Sequence, residues 1–252
     1  MNGRQYLLSS EENGRPPLVL GHSLGTTFPL WDASRERLEE NFRVLRYNPH
    51  PYQTGNGSAS IEAMGRGLLQ LLDRFRWRSV DFCGVSMSGL LGQWLALEAP
   101  DRVRRLVLSN TAARIGNPDH WQERINLVRQ KGLPDVASAL VNRWFSSRFA
   151  SEQPEVVDRF IQDLRSFPTD QYLAACEAIR EADFRDRVGL LKTRTLIIAG
   201  SHDLATTVAD AEFLHEEIKS SRLLVFPCGH LACIESSEAF TQAVTEFLLE
   251  AP

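Results

Sequence analysis

The sequence predicts an α/β protein: a doubly wound, mostly parallel sheet with a block of helices inserted late in the chain. Three observations predict it. Short β-forming runs alternate with helical periodicities through residues 1–113 and again through 189–252. One run, residues 80–83, passes through a turn of small residues straight into a helix. The stretch between, 114–188, carries helical periodicity and no convincing strand. Regular alternation implies right-handed crossovers that lay helices on both faces of a sheet. Residues 1–113 and 189–252 are therefore expected to form the core, with 114–188 a helical cap inserted after the sixth strand.

Each element has its own signal. Residues 5–8 read as a short edge strand, turned by Asn13-Gly14 and Pro16. Residues 18–20 form a buried strand that runs into the small-residue turn Gly21-His22-Ser23-Leu24-Gly25-Thr26. A helix over 29–40 turns Trp31 and Leu38 inward, and 42–47 is the next strand. Between 48 and 58 two prolines and two glycines exclude regular structure. That loop, with His50 and Tyr52, leaves the carboxyl end of a strand, where open α/β sheets keep their sites. Ile61, Met64, Leu68, Leu71, Leu72 and Phe75 recur at helical spacing behind an N-capping Ser60. A helix over 90–97 stops at Pro100, and 103–109 is a buried strand whose end, Asn110-Thr111, faces the same edge. Within the cap, Pro118, Pro134, Pro154 and Pro168 each stand near a helix start, where the missing N–H costs little. The sheet resumes with 195–199 and 222–226 around a helix at 209–218, and an amphipathic helix over 237–249 closes the chain.

Composition narrows the function. The 252 residues are 43% hydrophobic and 24% charged, with a formal charge of −4 and interspersed signs. Nucleic acid and anionic membranes are poor partners for such a surface. No apolar run approaches the roughly 20 residues that span a bilayer, and no secretory signal is expected. Four scattered cysteines indicate free thiols in a reducing cytoplasm. Cys228-Gly229-His230-Leu231-Ala232-Cys233 lacks the second ligand pair that a zinc site needs.

The chemistry lies in three residues. Gly84-Val85-Ser86-Met87-Ser88-Gly89 is a close relative of the G-x-S-x-G nucleophile elbow, with Ser88 in place of the second glycine. Asp203 and His230 follow, each just after a predicted strand. Nucleophile, acid and base in that order are the arrangement of the α/β-hydrolase fold. A serine hydroxyl attacks well only when a neutral imidazole takes its proton. The imidazole needs a carboxylate on its other nitrogen to hold its tautomer and stabilise the imidazolium. The backbone N–H groups of Leu24 and Met87 are the candidate oxyanion donors. His22, on the wrong loop for a base, reads as structural. No metal or organic cofactor is called for, and acyl-serine chemistry of this kind leads to the expectation of a small-molecule partner with an ester-type bond.

Several stretches resemble the 3-oxoadipate enol-lactonases. They are residues 83–89, Ser23-Leu24-Gly25-Thr26, Gln93-Trp94-Leu95-Ala96, Asn110-Thr111-Ala112-Ala113-Arg114-Ile115-Gly116, Ala175-Cys176-Glu177-Ala178-Ile179-Arg180 and Ile198-Ala199-Gly200-Ser201-His202-Asp203. The resemblance implies Ser86, Asp203 and His230 as the triad. It implies as substrate a small carboxylated enol-lactone from aromatic catabolism, in the β-ketoadipate pathway. Two departures stand out: Ser88 where relatives have glycine, and Asn48 and Thr54 in a loop where relatives carry aspartate and arginine. A substrate carboxylate calls for a cation, for which Arg114, Arg143 beside Trp144, and Arg180 are the candidates. A carboxylesterase or another lactonase, or a ligand-binding protein on the same scaffold, are the rival readings.

Overall fold

In the computed structural model, residues 5–9, 14–49 and 59–251 are described; the loop with His50 and Tyr52 lies outside them. Seven strands form among the described residues: β1 (Tyr6–Leu8), β2 (Pro17–Gly21), β3 (Arg43–Tyr47), β4 (Val80–Val85), β5 (Val103–Ser109), β6 (Arg194–Gly200) and β7 (Ser221–Phe226). Their order is β1-β3-β2-β4-β5-β6-β7, with β1 antiparallel to β3 and every other pair parallel. The first connecting helices are α1 (Asp32–Glu39), α2 (Ile61–Arg74) and α3 (Met87–Glu98). Between β5 and β6 come α4 (Pro118–Lys131), α5 (Leu133–Val141), α6 (Ser147–Glu152), α7 (Pro154–Arg165) and α8 (Thr169–Glu181). The chain closes with α9 (Val208–Glu217), α10 (Ala232–Glu235) and α11 (Ser237–Leu249).

The strand order reverses at β2. From β2 the chain steps outward to β3, then crosses back to β4 and continues the other way. Right-handed crossovers then put α1 on one face and α2, α3 and α9 on the other. The packing agrees: α1 lies against α11, and α2 against α3. Gly21 and Gly84 are register partners across β2 and β4. The loops leaving these strands therefore diverge from neighbouring points, and such a switch point is where open α/β sheets hold ligands.

Local chemistry accounts for the elements. All six residues of β4 are buried, as a central parallel strand covered on both faces requires. Ser60 caps α2 by accepting from the Ala63 N–H at 3.0 Å. Asn117 caps α4 in the same way, from His120 at 2.8 Å, with Pro118 in the first turn. Four differences from the expected elements have identifiable causes. α3 begins at Met87 rather than Leu90, because the small residues of the elbow conceal the helical period. The helix expected over 29–40 is split into a 3₁₀ turn, Phe28–Trp31, and α1, with Pro29 inside the first turn. Helices α6 and α10, of six and four residues, are too short to show a period at all. The helical insertion follows the fifth strand among the described residues and not the sixth, since β1 is the single strand before β2.

No helix among the described residues is long and apolar enough to cross a membrane. All four cysteines are buried and free. Phe82, fully buried in β4, fills the space under the elbow. Phe82→Ala is expected to cost about 3–5 kcal/mol. Denaturant unfolding should show a lowered midpoint with an unchanged slope.

Candidate active site

β4 delivers Ser86 through a turn that ordinary residues avoid, with φ 56° and ψ −114°. A non-glycine held there stores about 1–3 kcal/mol of strain. Its neighbours keep it in place. The Ser86 N–H donates to the Ser109 carbonyl at 2.9 Å, and the Thr111 hydroxyl donates to the Ser86 carbonyl at 2.8 Å. A Cβ on Gly84 would collide with the Ser88 carbonyl, so only glycine allows so tight a reversal. Met87 is the first residue of α3, and its N–H has no acceptor within the helix.

Ser88 has a definite task. It is fully buried and donates its hydroxyl to the His22 carbonyl at 2.5 Å. Gly21 is its complement, since a Cβ there would sit 2.6 Å from the Ser88 Cβ. The hydroxyl thus ties the loop after β2 to the start of α3. That loop turns at Leu24-Gly25: the Thr26 N–H donates to the Ser23 carbonyl at 3.1 Å, and Gly25 has φ 72°, as the third residue of a type II turn requires. The His22 ring is buried edge-on against Phe28, at 5.2 Å between centroids.

Backbone bonding continues past the ends of β6 and β7, through Ser201 N–H to Phe226 O (2.8 Å) and His202 N–H to Cys228 O (3.0 Å). This brings Asp203 and His230 together, with His230 Nδ1 2.8 Å from Asp203 Oδ2. Nε2 is then the ring nitrogen left for chemistry. Asp203 Oδ1 accepts from the N–H groups of Ala205 (2.7 Å) and Thr206 (3.0 Å). Its Oδ2 also accepts from the Thr206 hydroxyl (2.9 Å) and Asn110 Nδ2 (3.1 Å). Burial pushes the carboxyl up, but His230 and the two backbone N–H groups outweigh it and hold Asp203 down at about 2. Asn110, at φ 47°, also donates to the Gly229 carbonyl at 3.1 Å. It bridges the acid to the residue before His230. Neither Asn110 nor Thr206 was singled out for this role in the sequence. An asparagine at a strand end, where the left-handed conformation suits it, is the signal for the first.

Ser86 and His230 open into one cavity of about 260 Å³ between the strand ends and the helical insertion, with Ser23 and Leu24 on its wall. Arg143 and Trp144 line it, as expected. Arg114 and Arg180 do not: Arg114 pairs with Asp183 at 3.2 Å, and Arg180 is held by Glu181 at 2.7 Å and by Gln122. Arg124 takes their place. It lies over the Trp121 ring at 4.7 Å, and Trp121 is itself anchored by Nε1–H to Ile115 O at 2.6 Å. The spacing of three between Trp121 and Arg124, one face of a helix, is the signal that points to it. Both arginines line the cavity, and no aspartate or glutamate does among the described residues. Burial, then the charges of Arg124 and Arg143, lowers the pKa of His120 on the same wall.

The model of the alpha/beta hydrolase fold family matches residues 16–237. Over 233 residues the chain is 37% identical to 3-oxoadipate enol-lactonase 2 of Acinetobacter baylyi, covering 91% of this chain and 87% of that protein. The chain belongs to the 3-oxoadipate enol-lactonase family of alpha/beta hydrolases. A second relative in this family, 3-oxoadipate enol-lactonase 1 of the same organism, is 32% identical over 98% of this chain and 95% of its own. The crystal structure of the enol-lactonase from Burkholderia xenovorans LB400 matches with a TM-score of 0.92 at 35% identity, over 97% of this chain and 96% of that one.

Two predictions follow from the packing and the charges of this family member. Gly21→Ala should destabilise it by about 1–3 kcal/mol through overpacking. Adding Ser88→Gly should return part of that loss, a non-additivity read from denaturant unfolding of the single and double variants. Asp203, ordinarily near 3.8 and here about 2, stabilises the fold above its unfolded pKa, and that stability is lost as the pH falls through about 2. The contribution is about 2 kcal/mol. Unfolding free energies measured between pH 4 and pH 2 should fall less steeply for Asp203→Asn than for the parent.

Proposed function

We propose that this chain is a cytoplasmic serine hydrolase that opens a small carboxylated enol-lactone. The observation that carries the proposal is one small cavity lined by Ser86, His230 and two arginines, and by no carboxylate among the described residues. Helices over 114–188 act as the cap that closes it. Buried, unpaired thiols fit a reducing compartment.

The geometry supports the following course. His230, its Nδ1 engaged by Asp203, takes the Ser86 proton on Nε2 as Oγ attacks the lactone carbonyl. The oxyanion forms against the N–H groups of Leu24 and Met87, each donor worth about 10²–10³ in turnover. The ring C–O bond breaks, and the departing enolate oxygen takes the proton held on His230 Nε2, leaving the ring neutral again; the resulting enol tautomerises to the ketone of the product. Water then attacks the acyl-serine with His230 as base, and the carboxylic acid leaves. The substrate's own carboxylate faces Arg143 and Arg124, whose planar forks suit bidentate binding. A cavity near the small end of ligand pockets suits a substrate of few heavy atoms.

Ser86→Ala should lower kcat by about 10⁵–10⁶ while leaving unfolding nearly unchanged. Retention of a tenth of the activity would rule out the acyl-serine route. A contact between Arg143 or Arg124 and the carboxylate is worth about 1.5–3 kcal/mol. Alanine at either position should therefore lower kcat/KM for the acid by roughly 10- to 150-fold and for its neutral methyl ester much less. An unchanged ratio of acid to ester in both variants would place the carboxylate elsewhere.

A further inference from the structure

The loop that presents His230 is fastened to the helical cap by one carboxylate, Glu235 of α10, and by one direct backbone bond. Glu235 Oε1 accepts from the Gly229 N–H at 3.0 Å and from the Ser146 N–H at 2.9 Å. Its Oε2 accepts from the Ser146 hydroxyl at 2.7 Å. The His230 N–H donates directly to the Trp144 carbonyl at 2.7 Å. The segments meet so closely at Gly229 that a Cβ there would lie within 2.7–2.8 Å of Glu235 Oε1, Ser146 N and Trp144 O. Trp144 is part of the cavity wall, and Ser146 is the N-cap of α6, accepting from the Phe149 N–H at 3.2 Å. The start of the next cap helix and the residue before the base are thus bonded to one side chain, while the wall residue Trp144 is bonded directly to His230.

We propose that Glu235 is a positioning residue that couples the 144–146 wall of the cap to His230, so that substrate wall and base keep a fixed separation. The proposal rests on the reading of Ser86 and His230 as nucleophile and base. Two of its three bonds go from backbone N–H groups to a carboxylate, the stronger kind of hydrogen bond. Neither partner segment is a strand or a long helix with a ladder of its own to fix it here. Misplacement of a reacting group by about 1 Å costs on the order of 10² in rate. A side chain that never touches substrate can therefore act on turnover through this one junction.

The test compares Glu235→Ala, Glu235→Gln and Ser86→Ala. Glutamine keeps an acceptor for both N–H groups and can donate to the Ser146 hydroxyl, so it is the rescuing variant. Three quantities are read: kcat and KM for the carboxylated enol-lactone, the rate at which a small uncharged fluorophosphonate labels Ser86, and the thermal midpoint. Labelling needs the base but not the cap wall. Glu235→Ala should lower kcat and the labelling rate together by about 10- to 100-fold and raise KM several-fold, whereas Glu235→Gln stays within about three-fold of the parent on this scale. A folded Glu235→Ala protein with parental kcat and labelling rate, whatever its thermal midpoint, overturns the proposal. If Glu235→Ala does not fold, Ser146→Ala, which removes the Oε2 bond and the cap of α6 but leaves both N–H bonds to Oε1, should still slow turnover about 3- to 10-fold, and parental turnover there overturns it equally. Substantial turnover by Ser86→Ala would instead overturn the serine reading, so the two failures are distinguishable.

Discussion

A serine at φ 56° does not stay there on its own account, and the arrangement around it depends on the forces that keep it so. β5 grips its N–H through Ser109, and Thr111 grips its carbonyl. α3 starts at the next residue. Those bonds exist because β4 lies between β2 and β5 at the sheet centre, with its register fixed on both sides. The strain of about 1–3 kcal/mol is small beside the burial of a whole central strand, which sets the turn and exposes the hydroxyl to the cavity. Stability of the sheet and the proposed reactivity of Ser86 are in this sense one property.

The loops around the elbow are joined to it and to one another by single polar contacts. Ser88 ties the loop of Leu24 to α3, which brings both proposed oxyanion donors onto one rigid unit. Asn110 ties Asp203 to the residue before His230, and Asp203 spends every remaining acceptor on its own turn. A carboxylate so surrounded stays ionised and fixed, which the proposed pairing with a developing imidazolium requires. Preorganisation of this kind avoids reorganisation at the moment of reaction.

The strand–helix alternation and the order Ser86, Asp203, His230 were legible in the sequence because both are local patterns. Each candidate site residue follows its own apolar run, and the sheet brings the run ends to one edge. What was not legible depends on distance in the chain. Arg114 and Arg180 looked as suitable as Arg143, but Asp183 and Glu181 hold them in ion pairs outside the cavity, and no spacing rule announces that. Arg124 was readable only through its helical spacing to Trp121. Ser88 looked like a departure from its motif until Gly21, remote in the sequence, proved to leave room for it. Glu235 lies on a helix of four residues, too short for periodicity, and its partners lie in the cap. Of the 48–58 loop, Asn48 lies buried just past the end of β3.

The most direct test of Ser86 as the nucleophile that opens a lactone is the mass of the trapped intermediate. Ring opening expels no atoms, so an acyl-enzyme made from a lactone gains the mass of the whole substrate, whereas one made from an ordinary ester gains only the acyl part. Rapid acid quench of the enzyme with excess carboxylated enol-lactone, followed by peptide mass spectrometry, should show the whole-lactone increment on the peptide containing Ser86, and no increment in Ser86→Ala. Full turnover by the parent with no adduct on that peptide, together with turnover by Ser86→Ala, would contradict it.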